Sequence, residues 1–277
     1  MTGKKTFKIV VISFIAIIIR SMLQLVIPPG NQSVLQQSIF VKNGTLPIVF
    51  MIYGTIAFTA ITIIFILIHR GMGGGKISKG LKTGLIYSIV WTVFLVEPLP
   101  HGSTIDLISY PMADSFVLLL LGLMSGKFLS ENSIKKEHKL TIKSIFNISI
   151  ITFIFTIGRI IQYKVFHIYS MFEQAQVRTI IWVICTGIII GFMFEYLNYT
   201  INIKNAFTKS LIFGGVFFGI NLLFFNFFLP LVLKVEISDM IIRTLIDTLS
   251  VITGCLIINI KESKVLIKTN YSNKTLD

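Results

Sequence analysis

Acidic residues are scarce in this chain: 12 Asp and Glu stand against 25 Lys and Arg in 277 residues, for a formal net charge of +13. Charge of either sign is scarce too, at 13% of residues against 54% hydrophobic. A soluble domain carries about a quarter charged residues. The composition therefore excludes a water-soluble globule and points to a polytopic membrane protein. No stretch between the apolar runs is long enough to bury a soluble core, so no extramembrane domain is expected. The only cysteines, Cys185 and Cys255, lie within apolar runs. They exclude a disulfide framework and are expected as small buried core residues.

Signals for chemistry are missing as well. The histidines His69, His101, His138 and His167 show no metal-ligand spacing, and neither a metal nor a cofactor is expected. His69-Arg-Gly-Met-Gly-Gly-Gly-Lys76 fails as a phosphate loop, since Ile77 stands where Ser or Thr is needed. It is expected to be a flexible inner loop near anionic headgroups. Gly122-Leu-Met-Ser-Gly126 is no nucleophile elbow, whose serine sits midway between its glycines. The basic excess does not imply a nucleic-acid partner. Lysines in short loops are what the positive-inside bias requires.

What the chain does have is apolar runs. Spanning the hydrocarbon takes about 20 residues, and candidate runs occupy 7–27, 47–68, 81–96, 110–129, 142–161, 179–197, 207–229 and 240–260. The first follows Lys4, Lys5 and Lys8 but is too long for a signal peptide, and Pro28-Pro29-Gly30 is not a cleavage site, so it reads as a retained helix. With the N-terminus inside, the inner segments hold Arg70, Lys76, Lys79 and Lys82, then Lys127, Lys135, Lys136, Lys139 and Lys143, then Lys204 and Lys209, then Lys261, Lys264, Lys268 and Lys274. The outer segments hold only Lys42, Lys164, Arg178 and Lys234. This asymmetry predicts an all-α, multi-pass protein of the cell membrane with eight helices and both termini cytoplasmic.

The runs repeat. Asp106-Leu-Ile-Ser-Tyr-Pro-Met-Ala-Asp-Ser115 returns as Asp239-Met-Ile-Ile-Arg-Thr-Leu-Ile-Asp-Thr248. Arg20 and Gln24 match Arg159 and Gln162, Lys79–Gly84 matches Lys209–Gly214, and Leu99-Pro100 matches Leu229-Pro230. Matches in one order predict two parallel four-helix repeats, 1–139 and 140–277, about an axis along the membrane normal.

Ionisable residues inside membrane helices are costly and mark pairs or sites. By helical rise, Arg20 lies about 10 Å below the outer end of the first run and Asp114 about 6 Å inside the fourth. Arg159 and Asp247 sit at matching depths. Arg20–Asp114 and Arg159–Asp247 are expected to clamp the first run to the fourth and the fifth to the eighth. The functional reading is a cleft open to the outside, lined by Arg20, Gln24, Glu97, Asp114, Arg159, Gln162, Arg243 and Asp247. Three arginines there suit a small anionic or amphiphilic ligand, to be bound or transported, with the aspartates balancing charge or carrying protons. Arg243 replaces Tyr110 and breaks the symmetry. Two other functions fit the composition: a non-transporting partner of another membrane protein (immunity, sensor or assembly), and, less well supported, an enzyme on lipid-linked substrate using Glu97, His101 and Asp114. Asp106 and Asp239 are expected to cap helices, Pro98, Pro100, Pro111 and Pro230 to mark helix ends, and Asn221 and Asn226 to turn inward from the aromatic run 217–228.

Overall fold

The computed structural model describes residues 3–27, 32, 34–132 and 140–274, with side chains to 263. Pro28-Pro29-Gly30, Lys135, Lys136, His138 and Lys139 lie outside the described residues, as do the side chains of Lys264, Lys268 and Lys274. The described residues form helices joined by loops, with no strand among them. Its elements are α1 (Gly3–Val26), α2 (Ile39–Lys42), α3 (Leu46–Ile68), α4 (Lys76–Leu95), α5 (Asp106–Leu129), α6 (Ile142–Lys164), α7 (Gln176–Leu197), α8 (Ala206–Leu211), a π-helical stretch (Ile212–Ile220), α9 (Asn221–Asn226), α10 (Leu229–Val232) and α11 (Ile237–Lys274).

Local chemistry explains where several helices begin. Ser38 caps α2 by accepting from the Val41 amide, Asn205 caps α8 by accepting from Thr208, and Thr141 with Ser144 forms a capping box on α6. Pro47 and Pro230 occupy first-turn positions, where no amide is needed. Lipid explains why the long helices persist. On α3, Ile48, Ile52, Ile56, Ile63 and Leu67 are all exposed along one face. Such a stripe would be an aggregation hazard in water and is the ordinary surface of a helix in hydrocarbon. Among the described residues, seven helical segments are long and apolar enough to cross a membrane: Gly3–Val26, Leu46–Ile68, Asp106–Leu129, Ile142–Lys164, Gln176–Thr200, Ala206–Val232 and Ile237–Ser263. The protein is an all-α, polytopic membrane protein.

The expected third span is present as the 20-residue α4 but falls short of that apolarity, because Lys76, Lys79 and Lys82 occupy its first two turns. Lys79 is nevertheless fully buried, and its Nζ donates to the Glu131 carbonyl at 2.7 Å. In the first half, α1 packs on α3 and α5, and α4 packs on α5. In the second, α6 packs on α7 and α11, and the α8–π–α9 rod packs on α11. Across the halves, α4 meets α7 and α3 meets α9.

The α4–α5 contact is the closest. A methyl group built on Gly80 would lie 2.7 Å from Gly126 Cα, and one on Gly122 would lie 2.9 Å from Gly84 Cα. Small residues four apart on both helices let the backbones touch.

Several expectations need correction. Pro111 lies inside α5 and not at its end. Ser103 Oγ, and not the Asp106 carboxylate, accepts the Asp106 amide, and Asp106 itself accepts from that hydroxyl. Asp239 accepts the Tyr169 amide at 3.2 Å, tying a distant loop and leaving its own helix uncapped by it. Cys185 is exposed on the outside of the bundle, while Cys255 is buried. The glycine loop after α3, expected to be flexible, is packed: His69, Gly71, Met72 and Gly73 are buried, and Gly71 rests on Thr200. The π-helical stretch was not foreseen. It leaves the Phe217 carbonyl to accept from Tyr87 Oη at 3.2 Å across the halves.

Candidate functional site

The eight polar residues separate into two clusters. Arg20 on α1 bonds through Nε to the Asp114 carboxylate on α5. Its Nη1 donates to Gln24 Oε1 one turn on at 2.8 Å, and the Tyr110 ring lies 5.8 Å from the guanidinium. Both charges are buried and Gln24 is half-exposed.

The second cluster gathers the other five. Arg159 on α6 is wholly buried. Its Nη2 donates to Asp247 Oδ2 on α11 at 2.6 Å and its Nη1 to Glu97 Oε1 at 3.0 Å. Gln162, one turn beyond Arg159, donates to Asp247 Oδ1 at 2.6 Å. Arg243, one turn before Asp247, shares the same Glu97 oxygen at 2.5 Å and donates to the Tyr169 carbonyl at 2.6 Å. Three aromatic rings surround the Arg159 guanidinium: Trp182 at 4.9 Å, Phe155 at 5.5 Å and Phe94 at 5.7 Å. Each offers a cation a negative face. Trp182 is oriented by donating to the Val93 carbonyl at 2.6 Å. Glu97 therefore acts as the bridge: it leaves the end of α4 in the first half and neutralises two arginines of the second.

Among the described residues, no hydrogen bond or ion pair links the two clusters. Nor do the eight residues line one open cleft, since Arg159, Gln162 and Asp247 have no exposed surface. Each of the three arginines is paired with a carboxylate, so an anion would have to displace one. The second cluster is also not fully satisfied. Gln162 Oε1, Arg159 Nε, Arg243 Nε, Tyr163 Oη and Asp239 Oδ2 are buried without a hydrogen-bond partner. A buried polar atom left unpaired costs about 1–3 kcal/mol. Asp239 Oδ2 is nonetheless 3.9 Å from Arg243 Nη2, and Tyr163 lies beside Arg159.

The loop between α6 and α7 covers this cluster. His167 adopts φ 48°, and the Met171 amide donates to the Pro98 carbonyl at 3.3 Å. Tyr169 stacks on His101 with centroids 5.6 Å apart, and its hydroxyl lies 3.2 Å from His101 Nδ1. Burial lowers the His101 pKa from its usual value. Arg243 lowers it further, while Asp106 and Glu97 pull it up. A histidine whose folded pKa lies below its unfolded one favours the neutral ring. Its stabilisation is complete above the unfolded value of about 6.5 and is lost as pH falls below it. Between pH values of about 7 and about 5, the melting temperature of the wild type should fall more steeply than that of His101→Gln. Parallel slopes would place His101 outside the loop's stability.

Tyr169, Asp239 and Trp182 are the members that sequence reasoning did not assign to the site. The matching of Asp239 to Asp106 did single it out, but as a cap. Among the described residues, no three His, Cys, Asp or Glu side chains gather as a metal site needs. Compared with family models, curated proteins and solved structures, the chain matches none.

Proposed function

We propose that the protein binds a small polar solute at the Glu97–Arg159–Arg243–Asp247 cluster and carries it across the cell membrane. In this reading all eight expected helices span the bilayer with both termini cytoplasmic, as two parallel repeats, 1–139 and 140–277. Supporting the eighth span, α4 presents Ile77, Leu81, Leu85 and Ile89 along one exposed face, like its neighbours. Supporting the repeat, the helix pairings of the second half match those of the first in order, and Arg159–Asp247 joins α6 to α11 as Arg20–Asp114 joins α1 to α5. Glu97 in the first half and Arg243 in the second form a pair with no counterpart in the repeat.

The observation that carries the functional reading is a buried charge network drawn from both halves, whose polar atoms are not all hydrogen-bonded. Two arginines already held by carboxylates suit a ligand that exchanges partners with them. A carboxylate can take the place of Glu97 on Arg243, and an apolar or cationic remainder can face the aromatic rings or the freed acid. The class is thus the anionic or amphiphilic one expected from the sequence.

A second reading is favoured by the mutual pairing and complete burial of Arg159 and Asp247: the cluster is a clamp and the protein acts through helix contacts with a membrane partner. One experiment separates the two. Purified protein is melted in detergent against millimolar small carboxylates, phosphate and zwitterionic amino acids. A ligand at 100 times its Kd stabilises by about 2.7 kcal/mol. At least one class should raise the melting temperature by several degrees, with the shift lost in Glu97→Gln and the same compound taken up saturably by proteoliposomes. A flat panel together with a stoichiometric co-purifying membrane protein selects the clamp.

A further inference from the structure

Each long helix of the first half buries one hydroxyl in the same region: Ser13 on α1, Thr62 on α3, Thr83 on α4 and Ser125 on α5, none more than 2% exposed. Ser13 Oγ lies 3.4 Å from Thr62 Oγ1. Thr62, Thr83 and Ser125 line one small cavity between α3, α4 and α5, whose other walls include Phe65, Tyr87 and Leu121. We propose that this cavity binds a single water molecule, held by Ser125, Thr83 and Thr62, which ties the three helices together inside the bundle. The proposal is independent of any solute site, since Ser125 lies about 16 Å along α5 from Asp114.

Hydrogen-bond accounting selects water. Thr62 Oγ1 donates to the Phe58 carbonyl at 2.8 Å, and Thr83 Oγ1 donates to the Lys79 carbonyl at 3.0 Å. Such bonds to the preceding turn use the one proton of each hydroxyl and leave its lone pairs to accept. Ser125 differs: its Oγ is buried with no hydrogen-bond partner among the described residues, a costly condition inside a protein. A water can donate to both threonines and accept from Ser125. The cavity volume is about 10 Å³, the least that one water needs, and a buried water takes two to four polar partners. An apolar occupant would leave Ser125 unpaired. A cation would meet no carboxylate among the described residues of the wall, and charge within a membrane bundle needs a partner. The Tyr87 hydroxyl is spent on the Phe217 carbonyl at 3.2 Å.

The second half shows the contrast. The match of Lys79–Gly84 to Lys209–Gly214 sets Phe213 against Thr83, and the match of Asp114 to Asp247 sets Ile258 against Ser125. Phe213 is 0% and Ile258 1% exposed, and the Phe213 ring meets Phe194 edge-on with centroids 5.1 Å apart. There the two positions are filled by packed carbon. In the first half the same two positions carry hydroxyls that face a gap of one water's size, and polar groups between membrane helices hold them together by hydrogen bonds.

The test reads the melting temperature of the full chain in detergent for Ser125→Ala, Thr83→Val and the double variant, beside a high-resolution crystal map of the wild type. Ser125→Ala removes one oxygen. With water bound, it should lower the melting temperature by a few degrees, because the water loses a partner. Were the hydroxyl simply unpaired, its removal should raise the melting temperature. Thr83→Val should also lower it, and the double variant should lose less than the sum, because one water is lost only once. The map should show one peak within about 3 Å of Ser125 Oγ, and replacing sodium by potassium should leave the melting temperature unchanged. A more stable Ser125→Ala, additive losses, a map without the peak, or stabilisation specific to sodium would each overturn the proposal.

Discussion

Leucine in place of Gly122 is expected to abolish the monodisperse protein, and leucine in place of Gly80 to do the same. A Cβ at Gly122 would lie 2.9 Å from Gly84 Cα, and one at Gly80 would lie 2.7 Å from Gly126 Cα. The opposing atoms are backbone in both cases, so no rotamer change makes room. Overpacking a core costs about 1–3 kcal/mol where side chains can shift, and rigid helices leave only separation. Separating α4 from α5 would also withdraw the bond from Lys79 Nζ to the Glu131 carbonyl and expose a buried lysine. Gly215→Ala is the control, since its new methyl would meet only Ile252 Cδ1 at 4.0 Å. Size-exclusion profile and melting temperature in detergent give the answer. A Gly122→Leu protein that elutes and melts like the wild type would refute this account of the α4–α5 contact.

Helix-spanning runs were legible because lipid imposes one simple demand, some 20 apolar residues, and seven of the expected runs coincide with helical segments long and apolar enough to span. The Arg–Asp partners were legible too, because charges in hydrocarbon must find each other and few candidates exist at each depth. The bridging role of Glu97 was not. At the end of α4 it reads as a surface acid, and only packing across the halves carries it to Arg159 and Arg243. Asp239 shows the same limit: a helix-start aspartate looks like a cap until the loop bearing Tyr169 folds over it. The π-helical turn leaves no mark in composition, since its Phe217 carbonyl is met by a tyrosine 130 residues earlier in the chain. The glycine spacing on α4 and α5 was present in the sequence as a packing signal. It is masked there because Gly122–Gly126 also invites comparison with a nucleophile elbow, and Lys79–Gly84 with the repeat.

Arg159→Leu and Asp247→Leu should each cost about 3–5 kcal/mol, because each strands a buried partner. The side chains of both residues have no exposure, against 8% and 11% for Arg20 and Asp114. Water can relieve part of the loss in the first pair and none in the second, so Arg20→Leu and Asp114→Leu should be milder. The Arg159→Leu/Asp247→Leu double variant should recover most of the stability, because it removes one charge of each sign and Glu97 keeps Arg243 at 2.5 Å. Recovery should stop short of complete, since Gln162 Nε2 loses its acceptor Asp247 Oδ1. Adding Gln162→Leu should supply the remainder. Melting temperatures of the six variants, read beside the wild type, test each step. Singles as stable as the wild type would mean that these charges are solvated and the site stands open. A double variant no better than its singles would mean that Arg159 is held chiefly by Glu97 and the rings of Trp182, Phe155 and Phe94. A recovered double that no longer responds to the solute stabilising the wild type would separate the architecture of the cluster from its use.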